Sequence, residues 1–140
     1  MGTHLGHVHL IVADLDRAIS FYTALLDLTV TERLANYAFL SFGDHHHDLA
    51  LQEHAETESS VADSRLYHVA FELDSAAALG DAAGWLDDEG IAVDSVDHGI
   101  SKALYFDDPD GNGVELYVDT RDDDSEQWHG NNARFDPTAL

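Results

Sequence analysis

The chain of 140 residues is 44% hydrophobic and has no cysteine, so it can bury one core but can form neither disulfides nor thiolate metal sites. Acidic residues number 28 against 6 basic ones, for a formal net charge of −22. This charge repels phosphate backbones and anionic lipids, which excludes nucleic acid and membrane surfaces as expected partners.

The first predicted elements are a strand and a helix. Residues 5–12 are rich in strand formers, and Asp14 stands at a helix N-cap position before apolar residues at helical spacing. Three shorter strand-like runs follow, at residues 28–34, 37–42 and 48–53. The predicted order is βαβββ.

The same order begins again after a polar connection at residues 54–64. Residues 66–73 predict a strand, and Ser75 can cap a helix that ends at Gly90. Further strands are predicted at residues 91–97, 102–107 and 113–118. His68 follows His7 by the same interval by which Ser75 follows Asp14, so the two units are in phase.

These elements predict an α+β fold of two tandem βαβββ modules, at about residues 4–54 and 65–119 of a single domain 1–120. The modules are expected to form a curved mixed sheet around a shared metal-binding concavity. Residues 121–140 are acidic and rich in turn formers, and we expect an irregular tail that docks Trp128 and Phe135.

Two histidines and one carboxylate occupy positions from which they could meet. Side chains alternate along a strand, and His7 and His68 hold equivalent faces of the first strand of each module. Glu115 on the final strand could reach the same space. Each residue alone is compatible with a purely structural role, but the in-phase repeat favours a site, and two imidazoles with one carboxylate are typical of a non-haem Fe(II) triad.

Other histidines and one tyrosine are weaker candidates. His98 precedes a predicted strand and could shuttle protons at the rim of the concavity, or it is a loop residue. Tyr105 lies on that strand among apolar residues, where a tyrosine is more often a packing residue than a catalytic one. His9 could support the site or contact substrate, and His45–His47 are expected to form at most an adventitious metal site, because adjacent strand residues cannot all face one ion.

Three segments carry a resemblance to the vicinal oxygen chelate superfamily, which includes glyoxalase I, bleomycin-resistance proteins and fosfomycin-modifying enzymes. They are residues 6–22, 68–73 and 104–117. The resemblance implies that His7, His68 and Glu115 are the metal ligands. The Asp-His-Gly run at 97–99 and the tyrosine before Phe-Asp-Asp-Pro-Asp-Gly-Asn are similar to extradiol dioxygenases of the catechol 2,3-dioxygenase type. That likeness implies an acid/base role for His98 and a hydrogen-bond donor role for Tyr105.

The leading hypothesis is an extradiol ring-cleaving dioxygenase that uses Fe(II), or Mn(II) or another divalent metal, and O₂ to open a catechol-like aromatic diol. The first alternative is a glyoxalase-like lyase, isomerase or thiol transferase with a redox-inert metal. A fourth ligand is not expected there, because position 50 is alanine and Glu53 is expected on another face. The second alternative is a metal-free module that binds drug-like molecules.

The charge and the apolar runs of the chain predict where in the cell the protein works and at what salt concentration. No apolar run approaches the roughly 18 residues of a membrane span, and no signal-peptide pattern opens the chain. Because salt screens self-repulsion, the acidic excess predicts a halophilic protein of a high-salt cytoplasm. A homodimer is left open.

Overall fold

The computed structural model describes residue 2 and residues 4–54 and 66–140. The chain divides into two compact units, one holding the first module with residues 108–112 and the other holding residues 66–107 and 113–140. The strands are β1 (Val8–Val12), β2 (Thr29–Arg33), β3 (Tyr37–Ser41), β4 (Leu49–Glu53), β5 (Val69–Glu72), β6 (Asp94–Asp97), β7 (Ser101–Asp107), β8 (Gly113–Asp119) and β9 (Ala133–Arg134). The helices are α1 (Leu15–Leu26), α2 (Ala76–Asp88) and a 3₁₀ turn (Pro137–Ala139).

The first unit is a four-stranded sheet covered by α1. Its strand order is β1–β4–β3–β2, with β1 and β4 parallel and the other neighbours antiparallel. The Asp14 side chain accepts a hydrogen bond from the Arg17 amide at 3.0 Å, which confirms the predicted N-cap. Along β1, Leu10 and Val12 are buried while His9 is exposed, so the predicted alternation is confirmed.

A buried carboxylate anchors residues 108–112 within the first unit. Asp108 is 5% exposed, and its Oδ2 accepts a hydrogen bond from the Tyr22 hydroxyl at 2.8 Å. Its Oδ1 accepts from the backbone amides of Asp110 and Asn112. Burial, followed by the negative charge of Asp108, raises the pKa of Tyr22 far above its ordinary value, so this phenol stays a donor.

The second unit repeats the pattern and adds one strand. Its order is β5–β8–β7–β6–β9, with β5 and β8 parallel. The Ser75 hydroxyl accepts from the Ala78 amide at 3.1 Å, which confirms the second predicted cap. Gly90 has a φ of +73° just after α2, where a left-handed residue reverses the chain.

The α+β class and the two βαβββ modules are confirmed, and each module forms its own mixed sheet. The shared concavity and the domain limits stay predictions. His7 and His68 each lie one residue before their strand rather than inside it. No helix in the described ranges is long and apolar enough to cross a bilayer.

The expectation of an irregular C-terminal tail is wrong in part. Residues 133–134 pair with β6 as the fifth strand, and a 3₁₀ turn follows. A strand of two residues has no periodicity that sequence analysis can detect. The two aromatic residues dock unequally, because Phe135 lies under the Lys102 ammonium at 5.8 Å whereas Trp128 is 53% exposed.

Candidate active site

A histidine and a glutamate of the second unit meet at the start of β5. Glu115 lies between the buried Val114 and Leu116 on β8, so its side chain points to the opposite face of the sheet. The parallel pairing of β5 with β8 sets Ala70 beside Glu115 and brings His68 close to it. His68 Nε2 lies 3.0 Å from Glu115 Oε1, and the side chains are 27% and 12% exposed.

This pair fits two ligands of a divalent metal ion. Nitrogen and oxygen ligands on neighbouring corners of an octahedron, with bonds of about 2.1 Å, lie about 3 Å apart. That spacing matches the separation of His68 Nε2 from Glu115 Oε1. His68 Nδ1 is buried without a hydrogen-bond partner among the described residues, so within them the polar contact of this ring is the one between Nε2 and Glu115.

The third predicted ligand, His7, belongs to the first unit. Its ring lies 4.6 Å from that of His47, measured between centroids. Within residues 4–54 and 66–140, no three His, Asp or Glu side chains form a group that could hold a metal ion. The pair of His68 with Glu115 is therefore present, whereas the three-ligand site that includes His7 stays a prediction.

Tyr105 lies beside Glu115 because the two residues pair directly across β7 and β8. Burial, then the negative charge of Glu115 and the hydrogen bond to it, then the charge of Tyr67, raise the pKa of Tyr105 to about 12. Its hydroxyl also lies 2.8 Å from His98 Nε2. Tyr105 is therefore a protonated phenol at neutral pH, and it connects Glu115 with His98.

The tautomer of His98 follows from its partners on the other side. His98 Nδ1 lies 2.7 Å from the side-chain oxygen of Asn132 and 3.3 Å from the backbone carbonyl of Asn131. A backbone carbonyl can only accept a hydrogen bond, so Nδ1 carries the proton. In the neutral ring, Nε2 then keeps its lone pair and can accept the hydroxyl proton of Tyr105 whenever that proton is not given to Glu115. Glu115, Tyr105, His98 and Asn132 form a continuous row of side chains, in which Tyr105 has one hydroxyl proton and donates it either to Glu115 or to His98 Nε2.

The C-terminal segment completes this row, which sequence analysis did not foresee. The Trp128 indole donates a hydrogen bond to the carbonyl of Asn131 at 3.0 Å, and its ring meets His98 edge-on at 6.0 Å between centroids. Polar and aromatic side chains within an acidic, turn-rich tail were the available signal. Their partner, His98, lies about 30 positions earlier in the chain, and nothing local connects them.

A cavity of about 520 Å³ opens beside the row in the second unit. Its walls are Tyr67, His68, Asp94, Ser95, Val96, His98, Tyr105, Trp128, Asn132, Ala133 and Arg134. A neighbouring cavity of about 360 Å³ shares Tyr67, His68 and Tyr105 with it. The predicted residues His98 and Tyr105 therefore line the same space as His68, a volume suited to a small molecule.

Gly113 allows the strands at this site to approach each other closely. A Cβ atom placed on Gly113 would overlap the backbone carbonyl of Tyr67, and it would lie 3.2 Å from His68 Cβ. Since a carbonyl is backbone, it cannot move aside cheaply. Glycine at the start of β8 is thus a condition for the present position of His68.

The remaining histidines belong to the first unit. His9 Nε2 lies 2.9 Å from the side-chain oxygen of Gln52, and His46 Nε2 lies 3.1 Å from Glu32. Burial, then the charges of His7 and His46, lowers the pKa of His47. These contacts assign no function to His9 or to His45–His47.

The first module offers no further carboxylate ligand on β4. Ala50 is buried, and Glu53 Oε1 accepts a hydrogen bond from the Leu15 amide at 2.8 Å. Glu53 therefore accepts a hydrogen bond from the first turn of α1, in keeping with the prediction that it does not face the metal site.

Comparison with known proteins places this architecture in a family. The profile of the glyoxalase/bleomycin resistance protein/dioxygenase superfamily matches residues 4–116. The chain belongs to this superfamily, as its sequence motifs indicated. Among solved structures, a possible glyoxalase from Bacillus cereus superimposes with a TM-score of 0.69 at 22% identity, over 82% of this chain and 98% of that one.

The curated relatives differ in activity and in length. Catechol-2,3-dioxygenase of Bacillus subtilis is 36% identical over 84% of this chain, but the chain spans only 42% of that protein. Metallothiol transferase FosB of Staphylococcus epidermidis is 29% identical over 95% of this chain and 94% of its own length. The superfamily of this chain thus includes relatives that are named for two different reactions.

Proposed function

We propose that the protein is an extradiol ring-cleaving dioxygenase that acts on a small aromatic diol with Fe(II) and O₂. The observation that carries the proposal is that Tyr105 lies between Glu115 and His98, along the cavity that His68 also lines. Identity to catechol-2,3-dioxygenase supports the same reaction.

The donor set suits the metal of such a reaction. We propose His68 and Glu115, with His7 as the third member, as ligands that leave positions open on a divalent ion. Bound there, Fe(II) would supply a Lewis acid that holds both diol oxygens and O₂ together. Mn(II) has similar ligand preferences and could replace it.

The protein's own contribution is the handling of protons. His98 Nδ1 holds a proton toward Asn132, so Nε2 is the ring atom that can accept one from a substrate hydroxyl. The resulting imidazolium would remain stabilised by the acceptor oxygens of Asn131 and Asn132. Tyr105, whose pKa of about 12 keeps it protonated, would turn its one hydroxyl proton away from Glu115 or His98 and donate it toward substrate or oxygen.

The test is anaerobic loading with Fe(II), followed by air and a panel of catechols, with optical detection of the coloured ring-opened product. We expect one iron per chain and turnover by the native protein. His68→Ala should lose both. His98→Phe should keep the iron and lose about 10²- to 10⁴-fold in rate, the range of general acid–base catalysis.

His45→Ala is the matched control, because the ring of His45 stacks on that of His4 at 5.9 Å and His45 is neither a proposed ligand nor a wall of the cavity. It should retain iron and activity. A loaded native protein that cleaves no diol would overturn the proposal, and an unchanged rate in His98→Phe would remove His98 from the mechanism.

A thiol transferase with a redox-inert metal is the second candidate, favoured by the 29% identity to FosB over 95% of this chain and 94% of that protein. The same protein loaded with Zn(II) or Mn(II) under nitrogen would add a thiol to an electrophilic substrate, with no O₂ consumed. Sequestration of a drug-like molecule is a third reading. It requires binding without metal, so protein that holds no divalent ion after Fe(II) is supplied would support it.

A further inference from the structure

Arg134 differs from the other arginines of the described residues. Three of them have a carboxylate oxygen within 2.6–2.7 Å, in the pairs Arg17–Asp110, Arg33–Asp16 and Arg121–Asp119. Arg134 has none within 4.0 Å in the part of the chain that the structure describes. In a chain with 28 acidic residues, an arginine without such a partner is conspicuous.

Strand pairing holds Arg134 at the wall of the 520 Å³ cavity. β9 is antiparallel to β6, and Arg134 lies directly opposite Val96. Residues that face each other in an antiparallel pair project on the same side of the sheet. Val96 lines the cavity, and Arg134 lines it too. Strand pairing therefore places the Arg134 side chain on the face of the sheet that borders this cavity.

The other walls of the cavity offer aromatic surface. Tyr67 is 84% exposed and Trp128 is 53% exposed, although both are large rings that a protein normally covers. Tyr105 adds a third ring. Aromatic faces and edges stack favourably on a planar ring. The one acidic residue among the described lining residues, Asp94, forms no ion pair with Arg134, so the guanidinium is free to meet a ligand anion.

We propose that this cavity binds an aromatic carboxylate, with the ring between the exposed aromatic walls and the carboxylate on Arg134. The planar guanidinium matches a carboxylate in a bidentate pair, which a lysine could not reproduce. Combined with the proposed function, on which this step rests, the substrate is an aromatic diol that carries an acidic substituent. Arg134 then determines specificity, since the acidic remainder of the surface repels anions in general.

The first experiment measures binding without metal or turnover. Benzoate, and benzamide as its neutral counterpart of the same shape, are titrated into the native protein while NMR follows the Trp128 indole signal. Benzoate should saturate the shift and benzamide should bind about tenfold more weakly. Arg134→Gln should abolish this preference and Arg134→Lys should recover part of it, whereas Arg33→Gln, which changes a paired arginine of the first unit, should keep it.

The second experiment compares turnover by the Fe(II)-loaded protein of 3,4-dihydroxybenzoate and 4-methylcatechol. Arg134→Gln should lower kcat/KM for the acid about tenfold, mainly through KM, and leave 4-methylcatechol unchanged. Equal losses for both diols, or benzoate binding that is the same in Arg134→Gln, would overturn the subsite. Failure to cleave any diol would instead overturn the proposed ring cleavage, while the benzoate titration would still decide the subsite.

Discussion

Replacement of Asn132 by leucine tests whether the C-terminal segment controls His98. The substitution removes the acceptor 2.7 Å from His98 Nδ1 and leaves the weaker contact with the Asn131 carbonyl at 3.3 Å. A neutral hydrogen bond contributes about 0.5–1.5 kcal/mol, which corresponds to about a two- to tenfold change in an equilibrium. We therefore expect the ratio of the Nδ1-protonated to the Nε2-protonated tautomer of His98 to fall by that factor.

Ring ¹⁵N shifts of His98 report this tautomer directly, independently of metal and substrate. Turnover should fall by about the same two- to tenfold factor, far less than the loss of about 10²- to 10⁴-fold expected on removing the imidazole. Asn131→Leu is the matched control, because it keeps the backbone carbonyl that contacts His98. Unchanged ¹⁵N shifts in Asn132→Leu, or an equal change in Asn131→Leu, would refute the reasoning.

Further predictions concern stability. Tyr22→Phe leaves the buried Asp108 without one donor, so the free energy of unfolding in urea should fall by about 1–3 kcal/mol. Gly113→Ala should lower the Tm and weaken Fe(II) binding, because the new methyl group overlaps the Tyr67 carbonyl. The raised pKa of Tyr105, about 12, means that the native state keeps a proton that the unfolded state releases near pH 10, so stability is full below pH 10 and falls as the pH rises toward 12. KCl should raise the Tm by screening a charge of −22.

Each of these predictions has a contrary outcome. Gly84→Ala is the control for Gly113→Ala, because a methyl group there meets no atom within 4 Å and should stabilise α2. Tyr105→Phe should weaken the fall in the free energy of unfolding between pH 10 and pH 12. An equally steep fall in this variant would contradict the claim that Tyr105 causes it. A Tm that falls with KCl would contradict the halophilic interpretation, and an intact unfolding free energy in Tyr22→Phe would show that Asp108 finds another donor.

Most of the secondary structure was predictable because its signals are local. Asp14 and Ser75 cap helices whose apolar faces repeat at helical spacing, and both caps are formed as predicted. The in-phase histidines pointed to His68, and the third motif pointed to Glu115, which the parallel pairing of β5 and β8 brings together. Strand ends were less accurate, since His7 and His68 lie just outside their strands.

The sequence alone determined the α+β class, the repeated module and the residue types that carry the chemistry, because periodicity, caps and turns act within a few residues. Only the tertiary structure decided that Asn132 fixes the tautomer of His98, that Asp108 is held by Tyr22, and that Arg134 reaches the cavity wall. These contacts join residues that are 34 and 86 positions apart in the first two cases. Their partners are chosen by packing of whole elements, which no local pattern encodes.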